Sequence, residues 1–263
     1  MNRMLEVEVV RIDVSTKTTQ VIKDFVAEER PLHLFLNRIH FVTIFCSPMS
    51  LEELAVGHVL SEGIVKSAEE IEEIRLEKEG VCRLSLSREV DLGKRLRLSK
   101  QFSRVIFSAC GSHKPYQPSA RLSKLKTRLK VKAEVLLESV AKLNYAADIF
   151  RKTGGTHVAA IYKSDGSLLA LAEDVGRHNA VDKVIGVCVL KKVDFSEVFL
   201  TLSGRLTGDI VAKAARLGIP VIGSLSAAID SGIRIAKDVD LTLVGFVRGK
   251  RMNVYSFPER IIS

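Results

Sequence analysis

TGGTHVAAIYKSDGSLLALAEDVGRHNAVDKVIG, residues 153–186, is the stretch on which the fold of this chain turns. Val158 to Tyr162 and Leu168 to Ala172 are short apolar runs joined by Ser164-Asp165-Gly166, a hairpin signal. Glu173-Asp174-Val175-Gly176-Arg177 then leads into a helix, because Val181, Val184, Ile185 and Val189 recur at the spacing of one buried face. His178 and Asp182 are four apart, as are Asn179 and Lys183, which gathers all of them on the first turns of that helix. A helix N-terminus presents unpaired N–H groups and a positive dipole end, so it suits a phosphate or carboxylate, and Arg177 and Lys183 would add charge there. The competing reading is a solvated first turn with ordinary capping. Gly154-Gly155 is open in the same way, either as a ligand-side turn or as a plain helix stop.

Two further junctions of this kind lie downstream. Phe199 to Leu202 reads as a buried strand ending in Ser203-Gly204-Arg205, after which Thr207 caps a helix with Asp209 in its first turn. Strand, glycine turn and helix N-terminus in that order is a common α/β arrangement for holding phosphates. No Lys-Ser or Lys-Thr follows the glycine, so the run is not a P-loop. Pro220 to Leu225 reads as a strand and Ile229 to Val239 as a helix. The strand Leu241 to Val247 ends in Arg248-Gly249-Lys250-Arg251, which is a diphosphate clamp or a solvated basic turn.

Upstream, the chain reads as two parts, 1–102 and 103–263. The first is strand-rich: Val7 to Ile12, Val21 to Val26, Leu32 to Leu36 and Phe41 to Phe45, the last two a hairpin around Asn37-Arg38. Ser50-Leu51-Glu52-Glu53 is a capping box opening a helix in which His58 packs or caps. Ile71 to Leu76 and Val81 to Leu86 form another hairpin, and residues 91–100 read as a basic connection. In the second part Val105-Ile106-Phe107 is a strand leading to Cys110. A Lys/Arg-dense run from Arg121 to Lys132 ends with the alternation of a strand with one wet face; it docks an acidic donor or is simply solvated. Glu134 to Phe150 is an amphipathic helix, with Leu137, Val140, Ala141 and Asn144 at turn spacing.

At 263 residues and 46% hydrophobic content the chain can bury a large core. Its net charge of +9 favours acidic partners, including nucleic acid. The sequence has no nucleic-acid-binding motif, no Trp and only 6% aromatic residues, so nucleic acid is set aside. No signal peptide or membrane-length apolar run is visible. Cys46, Cys82 and Cys188 sit in apolar runs and read as core residues, and a reducing cytoplasm is the natural compartment.

Taken in order, these motifs resemble the formate dehydrogenase accessory proteins of the FdhD type. The likeness covers Glu29-Arg30-Pro31-Leu32, LEELAVGHVLSEGI (51–64), Ser108-Ala109-Cys110-Gly111 and the central TGG to DKVIG signature. It continues through Ser203-Gly204-Arg205, KAARLGIPVIGSLSA (213–227) and LVGFVRGKRMNVY (243–255). The resemblance implies an α/β, cytidine deaminase-like sandwich behind the strand-rich lobe, and a homodimer. It also implies a sulfurtransferase that takes persulfide sulfur from a cysteine desulfurase. That sulfur would go to the bis-molybdopterin guanine dinucleotide cofactor, of molybdenum or tungsten, for formate dehydrogenase, with GDP as a mimic of the cofactor's nucleotide. By the same resemblance Cys110 carries the persulfide, and Phe246, Val247, Arg248, Gly249, Lys250 and Arg251 bind the cofactor. Ser203, Gly204, Arg205, Gly154, Gly155, His178, Asn179, Asp182 and Lys183 complete the expected pocket.

The residues around Cys110 suit that role. Nearby positive charge lowers a thiol's pKa, and His113 and Lys114 follow in a loop punctuated by Gly111, Pro115 and Pro118. Many family members carry Cys-x-x-Cys here, whereas this chain has Cys110-Gly111-Ser112-His113. His113 would then be the proton partner that keeps Cys110 ionised. Two alternatives remain at this level: a non-catalytic protein that binds and delivers the guanine dinucleotide cofactor, and a zinc hydrolase using Cys110, His113, His157 and His178. The chain lacks the His-x-Glu and Pro-Cys-x-x-Cys of zinc deaminases.

Overall fold

The computed structural model describes residues 4–99, 104–106 and 122–263. Cys110, His113 and the rest of the cysteine loop lie outside the described residues. The chain begins with β1 (Met4–Asp13), β2 (Thr18–Ala27), β3 (Arg30–Leu36), β4 (Ile39–Cys46) and α1 (Leu51–Ser61). Next come β5 (Ile71–Leu76), β6 (Val81–Leu86), α2 (Leu92–Ser99), β7 (Arg104–Ile106), β8 (Val131–Lys132), α3 (Ala133–Ala146) and α4 (Asp148–Thr153). The central signature forms β9 (His157–Lys163), β10 (Leu168–Asp174) and α5 (Arg177–Leu190). The rest is β11 (Val198–Leu202), α6 (Gly208–Leu217), β12 (Val221–Ser224), α7 (Asp230–Asp238), β13 (Thr242–Arg248), β14 (Arg251–Ser256) and β15 (Ile261–Ile262).

Among the described residues the strands make a mixed α/β architecture of two main sheets. One runs β5-β6-β3-β4-β7, the other β10-β9-β11-β12-β13-β14. The larger sheet is apolar on both faces, because its strands alternate between two cores. Val158, Ala160, Tyr162, Phe199 and Val244 join α3 residues Leu136, Val140 and Leu143 on one side. Ala159, Ile161, Leu200, Leu202 and Leu243 join α5 and α6 residues on the other. That second core is continuous with the smaller sheet, whose Leu32, Leu34 and Leu84 it includes, through Leu54, Val56 and Val59 of α1.

The contact between α1 and α5 is a backbone approach permitted by glycine. A Cβ on Gly57 would overlap the carbonyl oxygen of Asp182, and one on Gly186 would overlap that of Glu53. The LEELAVGHVLSEGI and DVGRHNAVDKVIG motifs are therefore two halves of one helix crossing.

The structure departs from the sequence expectations at several elements. Ser50 does precede α1, but it sits left-handed at φ 50° with no side-chain cap bond, because a capping hydroxyl needs an extended N-cap. Residues 91–100 are not a plain connection: α2 forms over Leu92–Ser99, burying Leu92 and Leu96 and pairing Arg95 with Glu70. The strand expected to open the second part, β7, instead pairs parallel with β4 and completes the first sheet. The expected helix 134–150 breaks at Ala147, where the buried Glu173 carboxylate accepts from the Ile149 and Phe150 N–H groups and starts α4. α3 buries Leu136, Ser139, Val140 and Leu143, one position away from the expected face.

Candidate functional site

Strand directions bring the ligand-like motifs to one edge of the larger sheet. β11, β12 and β13 are parallel, so the loops after Leu202, Ser224 and Arg248 leave on the same side. β9 is antiparallel to β11 and β10 to β9, which places His157 and the end of β10 beside Ser203. The crevice beyond the carboxyl ends of parallel strands is where open α/β sheets bind ligands.

The edge is held from beneath by its own hydroxyls. Ser203 Oγ accepts from Val158 N at 3.1 Å and lies 3.3 Å from His157 Nδ1. The hydroxyl thus bridges the start of β9 and the His157 ring. Ser224 Oγ donates to Gly204 O at 2.7 Å, tying the β11 and β12 loops together. Gly204 lies close under Arg177, where an added Cβ would stand 3.0 Å from Arg177 Cβ.

The electrostatics are those of an anion site. Burial lowers the His157 pKa below its ordinary value, with the charges of Arg177 and Arg205 adding to the effect. Burial, with Arg177 and Lys213, pushes His178 down to about 3, so it is a neutral imidazole at physiological pH. His178 Nε2 is buried without a hydrogen-bond partner among the described residues, 3.9 Å from Asp209 Oδ2. Thr207 Oγ1, at the N-cap of α6, is buried and unpartnered in the same sense. Orphaned buried polar atoms at two neighbouring helix N-termini fit a polar ligand.

A recess of 240 Å³ opens at the end of β13, lined by Phe246, Arg248, Arg251 and Asn253. Phe246 has φ 50°, a costly conformation for an aromatic residue, at a register break in the β13–β14 pairing. Its N–H is held by Ser226 O at 3.0 Å. The Arg248 guanidinium stands 5.2 Å from the centre of its ring. Gly249, at φ 62°, turns the hairpin, and Arg248, Lys250 and Arg251 are exposed without an ion pair among the described residues. A flat ring beside unpaired guanidinium groups can stack a base and hold phosphates. Val247, by contrast, is buried and packs in the α3-side core.

The polar cluster of the α5 N-terminus divides in two. Arg177 and His178 face the edge, whereas Asn179, Asp182 and Lys183 turn inward with their polar atoms occupied. Asp182 accepts from Ser61 Oγ at 2.6 Å and from Lys213 Nζ at 2.9 Å, and lies 3.0 Å from His58 Nδ1. Lys183 Nζ pairs with Asp174 Oδ2 at 2.7 Å and donates to Ser47 O at 2.9 Å. Asn179 donates to Asp174 Oδ1 and to Phe45 O, both at 2.9 Å. These residues tie α5 to α1 and to the end of β4, so their side chains are engaged within the protein.

Gly154 is the left-handed C-cap of α4, and Gly155 packs against Ala27, so both serve the turn into β9. Sequence reasoning missed Asn253. The signal was present, since Arg251 and Asn253 share a face of any strand that follows the Gly249 turn. It also gave His157 only a metal role. Among the described residues no three His, Cys, Asp or Glu side chains gather as a metal site. No helix among them is long and apolar enough to cross a membrane.

Comparison with known proteins agrees with these motifs. The model of the FdhD/NarQ family matches residues 27–262. A protein named sulfur carrier protein FdhD from Shouchella clausii (strain KSM-K16) is 37% identical over 246 residues, covering 91% of each chain. One of the same name from Saccharolobus solfataricus is 37% identical over 262 residues, covering 97% of this chain and 99% of its own. The crystal structure of a formate dehydrogenase accessory protein from Desulfotalea psychrophila superposes with a TM-score of 0.80 at 27% identity, over 99% of this chain and 100% of its own.

Proposed function

Because the chain belongs to the FdhD/NarQ family, we propose that it is a sulfur carrier serving formate dehydrogenase. Cys110 takes sulfur from a cysteine desulfurase as a persulfide. The acceptor is a bis-molybdopterin guanine dinucleotide cofactor, of molybdenum or tungsten, bound at the sheet edge as substrate. The observation that carries this reading is the convergence of Arg205, Arg248, Arg251, the Phe246 ring and two orphaned buried polar atoms on one edge. Phe246 stacks the guanine, Arg248, Lys250 and Arg251 neutralise phosphates, and His178 and Thr207 receive polar groups deeper in the crevice. The helices on both faces of the mixed sheet support a deaminase-like sandwich, and the persulfide chemistry supports a reducing, cytoplasmic setting.

GDP tests the binding half of this proposal. Phe246→Ala and Arg248→Ala are each expected to weaken GDP binding by about tenfold, the worth of one good charge-assisted or stacking contact. The exposed Lys163→Ala control should bind like the wild type. Titration calorimetry reads the affinities, and unchanged binding in both site variants would remove the recess from the proposal.

A homodimer is the second element. β1 and β2 form a separate ribbon, in register from Met4↔Ala27 to Asp13↔Thr18, and an isolated two-stranded ribbon is marginal in water. Val10, Ile12, Val14 and Val21 are 62%, 68%, 86% and 62% exposed, which supports packing of the ribbon on a second copy. Val10→Asp combined with Ile12→Asp is expected to yield monomers by light scattering, with the circular dichroism of the body retained. A variant as dimeric as the wild type would assign the ribbon another partner.

A further inference from the structure

The opposite end of the larger sheet carries a feature that the sulfur-carrier reading does not use. Lys124, Lys126, Arg128, Lys130 and Lys132 are all exposed, whereas Leu129 and Val131 between them are buried and Leu125 and Thr127 are half-buried. The alternation sends every cation outward from one anchored segment. Its anchors are Leu125 N to Val239 O at 2.8 Å, Thr127 Oγ1 to Ser196 O at 2.9 Å, and the parallel pairing of β8 with β15. Val239 and Ser196 precede β13 and β11, so the segment crosses the sheet at the end away from the cofactor edge.

Only Lys124 has an ion-pair partner among the described residues, Asp240 at 3.2 Å. Residues 121–132 contain no acid at all, and the nearest in sequence is Glu134 at the start of α3. Soluble surfaces ordinarily intersperse the two signs, and a fixed row of one sign costs self-repulsion unless a complementary partner offsets it. Successive cations on such a row stand roughly 7 Å apart, the repeat of alternate residues on an extended chain.

We propose that this row is a docking strip for an acidic protein segment, one carrying Asp or Glu at alternate positions or on one exposed face. Protein is favoured over nucleic acid because the residues between the cations are Leu, Thr and Val, which give bases nothing to stack on. The strip lies at the far end of the sheet, so a docked protein leaves the cofactor edge open. This inference is independent of the persulfide chemistry and of GDP binding.

The test is fluorescence anisotropy with a labelled oligoglutamate peptide, at low and at physiological salt, on three full-length proteins. They are the wild type, Lys126→Glu/Arg128→Glu/Lys130→Glu, and a control with Lys17→Glu/Lys163→Glu/Lys237→Glu, which removes as much charge from other exposed sites. The wild type is expected to bind, the strip variant at least about tenfold more weakly, and the control close to the wild type. Thermal unfolding of the strip variant should match the wild type, since its three side chains are exposed. Equal losses in both variants would reduce the effect to net charge and overturn the proposal. Absence of wild-type binding would overturn it too, as would tighter binding of a single-stranded oligonucleotide of equal charge.

Discussion

Gly57→Ala and Gly186→Ala are each expected to destabilise the protein by about 3 kcal/mol or more, enough to lower the melting temperature by roughly 10 °C. Helix propensity alone gives the opposite sign, since alanine is better than glycine in a helix by about 1 kcal/mol. The crossing of α1 and α5 reverses it. The Gly57 methyl would overlap the Asp182 carbonyl, and the Gly186 methyl that of Glu53, and both obstacles are backbone within helices that cannot yield without separating. Gly154→Ala provides the contrast: nothing lies within 4 Å of its added Cβ, and only the left-handed penalty of about 1–2 kcal/mol applies. Thermal melts of the three variants decide the matter. A melting temperature raised by either helix substitution would contradict the interlocked crossing.

Removing one member of the buried charge cluster should cost about as much. Asp182 is 1% exposed and meets Lys213, His58 and Ser61, while Lys213 also pairs with Glu62 at 2.8 Å. Lys213→Met is expected to cost about 3–5 kcal/mol, because it leaves the Asp182 carboxylate buried without its cation. The double variant Lys213→Met/Asp182→Leu should recover part of that loss, since the fully buried carboxylate is removed with its cation and only the partly exposed Glu62 loses a partner. Burial alone would raise the Asp182 pKa, but Lys213, with His58 and Ser61, outweighs it and holds the carboxyl below its ordinary value. Burial likewise works to lower the Lys213 pKa, and Asp182 and Glu62 outweigh it and hold the amine above. A depressed carboxyl contributes stability above its unfolded pKa of about 4 and loses it as pH falls further. A raised amine contributes below its unfolded pKa of about 10.5 and loses it as pH rises further. Stability from this pair therefore forms a plateau between those limits. Urea unfolding against pH should show steeper acid and alkaline losses in the wild type than in the double variant. Parallel profiles would show that the pair is not linked to stability.

The fold was legible wherever local pattern suffices. The 164–166 turn, the valine face of α5 and the strands ending at Leu202 and Val247 all follow from spacing within a few residues. What escaped depends on partners far along the chain. Asp182, Lys183 and Asn179 read as ligand-facing because polar residues on a first helical turn usually are. Their partners His58, Ser47 and Phe45 stand more than 100 residues upstream, and nothing local announces that α1 and the end of β4 cover them. The break at Ala147 is of the same kind, set by Glu173 from a neighbouring strand. The positive φ of Phe246 was invisible as well, since left-handed backbone is ordinarily signalled by Gly or Asn. The α2 helix was readable in principle, from Leu92 and Leu96 one turn apart within a run dense in Lys and Arg.

The central claim is that Cys110 carries sulfur in spite of lacking a second cysteine in its loop. Intact-mass spectrometry after incubation with a cysteine desulfurase and cysteine tests it most directly, on the wild type and Cys110→Ala side by side. The account predicts a gain of one sulfur atom on the wild type alone. With the desulfurase shown to be active, no gain on either protein would contradict it, and would leave a protein that binds and delivers the cofactor without moving sulfur.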